Sequence, residues 1–218
     1  MLPRVKRGGS KTSARDRILE AFIRLASQLG VKATTSRHLA REARVNEVTI
    51  FRHFGDMRTL AREALQRRMA TARWAEVDLG FSVATPGSVK EGVTGVLRQM
   101  RDGLRENADL VEFAMSLTKD HQDLAEVVAP APLAGRRMIR AALERSREHL
   151  RPEVETSSSA LALHALLLMT VLWTRRGLLP LTDQQWDELL ADAVRPLIKS
   201  EIPRKKKEAR HGRRSTEG

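Results

Sequence analysis

Residues 34–54 read TTSRHLAREARVNEVTIFRHF, and this stretch decides the fold. Thr35 and Asn46 are good N-cap residues, and each precedes apolar residues at helical spacing. Between the two helices, Arg44 and Val45 leave room for only a short turn. The stretch therefore predicts two short helices joined by a tight turn, which is a helix-turn-helix.

Helices are also expected on both sides of this stretch. A first helix begins in a capping box at Ser13 and ends in a left-handed cap at Gly30. A fourth helix begins at Asp56 and runs to about Leu79, because leucine and alanine recur on one face. Together these helices predict a helix-turn-helix domain over residues 13–67, with three helices at its centre.

The rest of the chain is expected to form a larger helical body over residues 68–200. Its helices are predicted at residues 88–107, 109–118, 121–128, 133–150 and 156–175, and from residue 182 onwards. Ser88 caps the first of these helices, and Thr182 forms a capping box with Gln185. Pro130 and Pro132 interrupt the chain between residues 128 and 133, and a further proline, Pro196, loosens the end of the last helix. The predicted fold class is all-α.

Charge is distributed unevenly along the chain, whose formal net charge is +12. Residues 1–67 hold 15 Lys and Arg against 6 Asp and Glu, whereas residues 68–198 hold 16 against 18. Residues 1–12 are expected to be a flexible basic arm, and residues 201–218 a disordered basic tail. A basic head on a near-neutral body favours binding to a polyanion, although a basic surface also serves solubility.

Several classes of protein are excluded or disfavoured by the composition. The absence of Cys excludes disulfides and thiolate metal sites. Among the six His no two lie four residues apart, and there is no phosphate-binding glycine loop, so we expect no metal, no cofactor and no enzyme. The longest apolar run, residues 160–173, is shorter than the roughly 20 residues of a membrane span, and no signal peptide is evident. We therefore expect a cytoplasmic protein that does not enter the membrane.

Between Arg15 and Leu65 the sequence resembles the tetracycline-repressor (TetR) family. The resemblance rests on three motifs in uninterrupted order: residues 18–22 (ILEAF), residues 34–40 (TTSRHLA) and residues 45–54 (VNEVTIFRHF). The chain departs from the family pattern where glycine is usual, at Arg44 and Val48, and where serine, tyrosine and lysine are usual, at Asn46, Phe51 and Met57. The resemblance implies a DNA-binding head, a ligand enclosed by the fourth to seventh helices, and a dimer formed by the last two helices.

The third helix is expected to enter the major groove of double-stranded DNA. The residues predicted to contact an operator are Thr35, Ser36, Arg37, Asn46, Glu47, Val48, Thr49, Phe51, Arg52, His53 and Arg58. Arg52 suits a guanine edge, Val48 or Thr49 suits a thymine methyl group, and Thr35 and His53 suit phosphates. Glu47 suits cytosine or acts as a selectivity filter. Arg37 and Arg52 equally fit a solvated surface, His53 fits a local cap, and Phe51 fits the core better than a contact.

The near-neutral body is expected to bind a small apolar effector. The residues predicted to line its pocket are soft or aromatic, apart from one histidine: Trp74, Phe81, Met100, Phe113, Met115, Leu117, Met138, His164, Leu167 and Trp173. A packed core without a cavity is the plainer interpretation of the same residues, and His164 fits a hydrogen-bonded core position better than a ligand contact.

A homodimer is expected because helix 156–175 is apolar nearly all round. Its surplus leucines and valine, Leu161, Leu163, Leu166, Leu167, Leu168, Val171 and Leu172, would be buried in a four-helix bundle with a second copy. The stripe Trp186, Leu189, Leu190 and Val194 of the last helix would join that bundle.

The function predicted from the sequence is a ligand-responsive transcriptional regulator, most simply a repressor, that binds a palindromic operator as a homodimer. The alternative is a nonspecific DNA-binding protein, or a ligand carrier, that retains a degenerate helix-turn-helix. The sequence leaves open the effector, the operator and the choice between repression and activation.

Overall fold

The computed structural model describes residues 13–72, 76–120 and 122–200. Regular structure in these ranges is helical, apart from one isolated antiparallel bridge between Leu150 and Ile198. The helices are α1 (Ala14–Leu29), α2 (Ser36–Ala43), α3 (Glu47–Phe54), α4 (Met57–Thr71), α5 (Pro86–Glu106), α6 (Ala108–Asp120), α7 (Ala125–Val128), α8 (Pro130–Arg145), α9 (Thr156–Arg175) and α10 (Asp183–Val194), with 3₁₀ turns at Gln122–Leu124, Arg147–His149 and Arg195–Leu197. The all-α prediction is confirmed. The arm and the tail predicted at residues 1–12 and 201–218 lie outside the described residues.

Helices α1 to α4 form the N-terminal head, and each begins at a side chain that caps it. Ser13, Thr35, Asn46 and Asp56 each accept a hydrogen bond from the backbone N–H three residues further along the chain. Such a bond satisfies one of the N–H groups that the first helical turn leaves without a partner. All four caps were predicted from the sequence and are confirmed.

The core of the head extends into the body. Ile18, Leu39 and Ile50 are buried in it together with Phe113 and Leu117 of α6 and other residues of α6. The rings of Phe22 and Phe113 meet edge to face with centroids 6.3 Å apart. Because α6 completes this core, a movement of α6 is transmitted to the head through packing. The domain boundary at residue 67 stays a prediction.

Arg44 ends α2 in the left-handed conformation, with φ +54° and ψ +52°. Its backbone N–H donates to the carbonyl oxygens of Ala40 and Arg41, and the N–H of Val45 donates to the carbonyl oxygen of Ala40. This tight turn sets the angle between α2 and α3. A residue with a Cβ is strained in this conformation, whereas glycine is not.

We expect Arg44→Gly to raise the free energy of unfolding by about 1 kcal/mol, because it removes this strain. The change is measured as a higher midpoint of denaturant unfolding at an unchanged m-value. The control is Arg41→Gly, an exposed position inside α2, which should lower stability by about 1 kcal/mol. A loss of stability in Arg44→Gly would show that this turn is not strained.

Helix α4 ends at Thr71, and the prediction that it continues to about Leu79 is wrong. Residues 76–83 instead have no regular secondary structure, and Val77, Leu79, Phe81 and Val83 pack on the core of the body while the residues between them are exposed. This alternation has a period of two, which suits an extended chain and not a helix. The segment therefore lies along the body as a strap.

Other helix limits also differ from the sequence prediction. Helix α5 begins two residues before Ser88, since Thr85 is the cap and Ser88 completes the capping box. Helix α8 begins at Pro130. A proline is tolerated at the first position of a helix, because the backbone N–H that it lacks would have no hydrogen-bond partner within the helix. The same helix ends at Arg145 instead of residue 150.

The predicted limits of α9 and the predicted cap of α10 are confirmed. Glu155 caps α9 by accepting hydrogen bonds from the backbone N–H groups of Ser157 and Ser158. These two bonds lower the pKa of Glu155 to about 2, so the cap is charged at physiological pH. Thr182 caps α10 in a capping box with Gln185. The body core then forms where α5, α8, α9 and α10 pack together.

Candidate nucleic-acid interface and internal cavity

Helix α3 presents apolar and cationic side chains to solvent. Ile50 and Phe54 are buried, but Val48 is 73% exposed and Phe51 is 43% exposed. Arg52 is exposed on the same helix. The expectation that Phe51 belongs to the core is therefore wrong, because the rest of the head core is filled without it. An exposed aliphatic group and an exposed ring next to an arginine make a surface that can read base edges.

Polar side chains join the starts of α2 and α3. Ser36 Oγ donates to Glu47 Oε2 at 2.6 Å. Asn46 Oδ1 accepts from the backbone N–H of Thr49 at 2.8 Å and from its hydroxyl at 2.6 Å. Thr35 is engaged as the cap of α2. Of these bonds, the one between Ser36 and Glu47 links α2 to α3 before any DNA is present, whereas Thr35 and Asn46, the latter bonded to Thr49, cap their own helices. The contact of these five residues with DNA stays a prediction.

The cationic residues predicted to contact DNA differ in their surroundings. Arg37 and Arg52 are exposed, and neither forms an ion pair within the described part of the chain. The ring of His53 is exposed and lies against Phe54, with centroids 6.2 Å apart. Arg58 differs, because its guanidinium pairs with Asp123, with Nη2 at 2.8 Å from Oδ2. Arg37 on α2 and Arg52 on α3 are thus exposed and without an ion pair in the described residues, whereas Arg58 is engaged with the body.

Four charged residues form a head–body latch. Arg58 and Arg62 on α4 both pair with Asp123, and Arg62 also pairs with Glu126 at the start of α7. The hydrogen bond from Arg58 lowers the pKa of Asp123, so the carboxylate stays charged near neutral pH. The latch joins α4 to the segment that leads from α6 to α8.

A partly open cavity of about 400 Å³ lies between the last turn of α4 and the helices of the body. Its wall is almost entirely apolar and is built from α4 to α9 together with Val77 of the segment after α4. Met69 brings the last turn of α4 into the wall, and Val128 brings the end of α7 into it. A molecule in the cavity would therefore touch both helices that the latch connects. The plainer interpretation, a body packed without a cavity, is wrong.

Four residues predicted to bind a ligand line this cavity: Met100, Met115, Met138 and His164. The three methionines are flexible and polarizable, so they adapt to ligands of different shape. Met115 is also exposed and lies at the opening of the cavity. Their role in binding stays a prediction.

Five other predicted ligand contacts lie elsewhere: Phe81, Phe113, Leu117, Leu167 and Trp173. Phe113 and Leu117 fill the core of the head, and Leu167 fills that of the body. The ring of Phe81 packs on Gly92, where a Cβ would overlap it, and Trp173 is 46% exposed on α9. Trp74 lies outside the described residues.

Sequence reasoning missed several residues of the wall. Met69 was assigned to a helix that supports the head, although it follows Leu65 at the spacing of one helix face. Gln99, Thr118 and Leu168 carry no signal that separates them from ordinary helix positions. Gly135 matters because a Cβ there would lie 2.7 Å from His164 Nε2, so only glycine lets the imidazole approach α8.

A row of apolar side chains on α9 is exposed. Leu161 is 49% exposed, Met169 is 39% and Trp173 is 46%, and Ala165 lies between them at the same four-residue spacing. We call these four residues the α9 stripe. Leu163, Leu167, Val171 and Leu172 are buried in the chain's own core, so the surplus apolar surface is narrower than predicted.

Helix α9 is the one described helix that is long and apolar enough to cross a membrane. Only 44% of its most apolar window is buried within this chain. Length and composition alone are weak support for a span, since core helices of other proteins satisfy the same criteria.

Helix α10 does not supply the predicted apolar surface for a second chain. Trp186, Leu190 and Val194 are buried completely in the chain's own core. Arg101 and Arg105 lie over the ring of Trp186 and cover it from the α5 side. Within the predicted stripe only Leu189 is partly exposed, so that prediction is corrected.

Comparison with known proteins matches the head to a regulator family. Residues 18–64 match the family described as bacterial regulatory proteins, tetR family. An uncharacterized HTH-type transcriptional regulator of Bacillus subtilis (strain 168), YvkB, is 25% identical over 123 residues, which are 56% of this chain. The match spans 62% of the length of YvkB.

Solved structures share the fold over most of the chain. A transcriptional regulator from Rhodococcus sp. Rha1 is 17% identical and superposes with a TM-score of 0.61, over 85% of this chain and 96% of its own. NalD, the secondary repressor of the MexAB-OprM multidrug efflux pump in Pseudomonas aeruginosa, is 20% identical with a TM-score of 0.59, over 85% of this chain and 97% of its own. At such identities the likeness concerns the fold alone.

Proposed function

We propose that this chain, which carries the helix-turn-helix domain of the TetR family, is a cytoplasmic repressor that binds a palindromic operator as a homodimer and leaves it when a small apolar effector binds. The observation that carries the proposal is the outward face of α3, with exposed Val48 and Phe51 beside Arg52, which has no ion-pair partner among the described residues. Its relatives are transcriptional regulators, and we propose no enzymatic role.

The DNA side of the proposal follows from the shape of the head. A recognition helix in the major groove brings three or four side chains to base edges, while neighbouring groups hold the phosphates. Val48 and Phe51 suit thymine methyl groups, and Arg52 suits a guanine. The hydrogen bond between Ser36 and Glu47 supports this role, because it fixes α3 before DNA binds and so lowers the entropic cost of binding.

The effector side follows from the position of the cavity. Met69 of α4 and Val128 of α7 belong to its wall, and the head–body latch joins the same two helices. A molecule that displaces either helix therefore moves the head. It does so only if it binds the DNA-free arrangement more tightly, and a coupling of about 1–3 kcal/mol suffices for a switch.

The dimer follows from the α9 stripe. A row of large apolar side chains on one helix is rarely left in water, and a two-fold bundle would cover it. Two heads held by one bundle would then face two half-sites.

The test of this function is the ratio of operator binding to random-sequence binding. DNA is selected from a random pool with the purified protein, and both affinities are measured at one salt concentration. We expect a selected pseudo-palindrome bound about 10³-fold or more above random DNA. Equal affinities would favour a nonspecific DNA-binding protein, and the absence of DNA binding would favour a ligand carrier.

A further inference from the structure

We infer that the cavity takes an apolar molecule that ends in one carboxylic acid group, and that His164 receives this group. The inference rests on the proposed effector function and names the chemistry of the effector.

One polar side chain in the wall has unused hydrogen-bonding capacity. Gln99 Oε1 accepts from the backbone N–H of Asp78 at 2.9 Å, and Thr118 Oγ1 donates to the carbonyl oxygen of Ala114 at 3.0 Å. His164 is only 8% exposed, yet it forms no side-chain hydrogen bond with any residue in the described ranges. Its ring nitrogens are not among the fully buried atoms without a partner, so they are accessible from the cavity, and a ligand that supplies a partner there gains a hydrogen bond. The ligand therefore carries one polar group, directed at the imidazole.

The charges around the imidazole select the sign of that group. His164 is the one titratable side chain in the described wall, because α5 and α6 contribute only uncharged side chains to it. From α8, the positive charge of Arg136 acts on His164. Burial, and then Arg136, lower the pKa of His164, so the imidazole is neutral in the empty cavity near pH 7.

A cationic ligand would find no carboxylate to pair with in the described wall, which is unfavourable in an apolar site. A carboxylate meets no negative side chain in that wall, and it allows the imidazole to take up a proton from solvent. The complex is then an imidazolium–carboxylate pair, or equally a neutral acid hydrogen-bonded to a neutral imidazole. In both descriptions the complex holds one proton more than the free carboxylate and the neutral histidine together. Binding is therefore accompanied by the uptake of one proton from solvent.

The shape of the cavity agrees with a small acid. Gly135 lets the imidazole lie against α8, and because both residues line the cavity, the polar end of a ligand would lie beside α8. The methionines Met100, Met115 and Met138 surround the rest of the volume of about 400 Å³, near the lower end of the range for drug-sized ligands.

The experiment compares three probes that share a ten-carbon chain: decanoic acid, decan-1-ol and decylamine. Each is titrated calorimetrically into the full-length protein at pH 7.5, in two buffers of different ionisation enthalpy. We expect decanoate to bind about tenfold more tightly than decylamine, with uptake of about one proton. In His164→Gln, which keeps a polar amide but does not titrate, we expect the proton uptake to vanish and the Kd for decanoate to rise about tenfold.

The control variant is His149→Gln, which changes a histidine of the 3₁₀ turn Arg147–His149, away from the cavity, and should leave both quantities unchanged. The inference is overturned if decylamine or decan-1-ol binds as tightly as decanoate, if no probe binds at millimolar concentration, or if His164→Gln binds decanoate with the same proton uptake. Operator binding is measured in parallel. Decanoate that binds with proton uptake and leaves the operator occupied would contradict the effector function but not the ligand class.

Discussion

The double variant Leu161→Asp, Met169→Asp is expected to be monomeric and to bind the operator at least about 100-fold more weakly than the wild-type chain. Both side chains belong to the exposed α9 stripe, so the carboxylates are hydrated in the monomer and its fold is retained. In a two-fold interface each substitution occurs twice, and four carboxylates would be buried without partners. In the wild-type dimer, binding of one head raises the effective concentration of the second head at its half-site. This gain in affinity is lost when the two heads are separate molecules.

Sedimentation velocity at micromolar concentration measures the oligomeric state, and circular dichroism shows whether the helices are retained. The matched control is Leu29→Asp, which places the same charge on another exposed leucine, at the end of α1 in the head. It should sediment like the wild-type chain. If the double variant remains a dimer at this concentration, the interface lies elsewhere and the α9 stripe has another partner.

Arg52→Ala is expected to weaken operator binding by about 1–3 kcal/mol and to leave binding to random DNA nearly unchanged. The guanidinium is exposed on α3 and has no ion-pair partner in the described part of the chain, so its removal leaves no buried charge behind. The loss of affinity in Arg52→Ala therefore comes from the missing contact with a base alone.

The measurement is a set of affinities for the selected operator, for operators changed at single base pairs, and for random DNA, all at one salt concentration. His53→Ala should instead weaken binding to every sequence alike, since a phosphate contact carries no sequence information. Arg140→Ala, an exposed arginine on α8, should change neither affinity. Equal losses on operator and random DNA would make Arg52 a phosphate contact.

Local chemistry allowed the head to be predicted from its sequence. A capping side chain acts on an N–H three residues away, and Ser13, Thr35, Asn46 and Asp56 cap their helices as expected. The end of α4 was missed, although the alternation from Val77 to Val83 is visible in the sequence. The apolar residues of α4 are followed by this alternation without a proline or glycine between them. The sequence alone therefore does not show where the helix ends, and packing against the body decides between a longer helix and a non-helical segment.

The cavity was harder to predict because α6 contributes side chains both to the core of the head and to the wall of the cavity. On α6, Phe113 and Leu117 face the head while Met115 and Thr118 face the cavity, and these residues are neighbours in sequence. Their residue types do not reveal which side each one occupies. Likewise, the amphipathic stripe of α10 predicts burial but not whether its own chain or a second copy covers it.

Pairs distant in sequence could not be predicted at all. Arg58 and Asp123 are 65 residues apart, and nothing in their local context connects them. Arginine at position 58 looked free for DNA because its partner is brought to it by the packing of α4 against the segment before α8.

The exposure of the head–body latch makes the protein sensitive to the ions dissolved around it. Asp123 is 30% exposed and its partner Arg58 is 58% exposed, so water and dissolved ions reach both charges. Salt screens such pairs over about 8 Å at physiological ionic strength, and it also competes with the head for phosphates. Higher salt therefore weakens these pairs between head and body, and it would weaken the proposed contact with DNA at the same time.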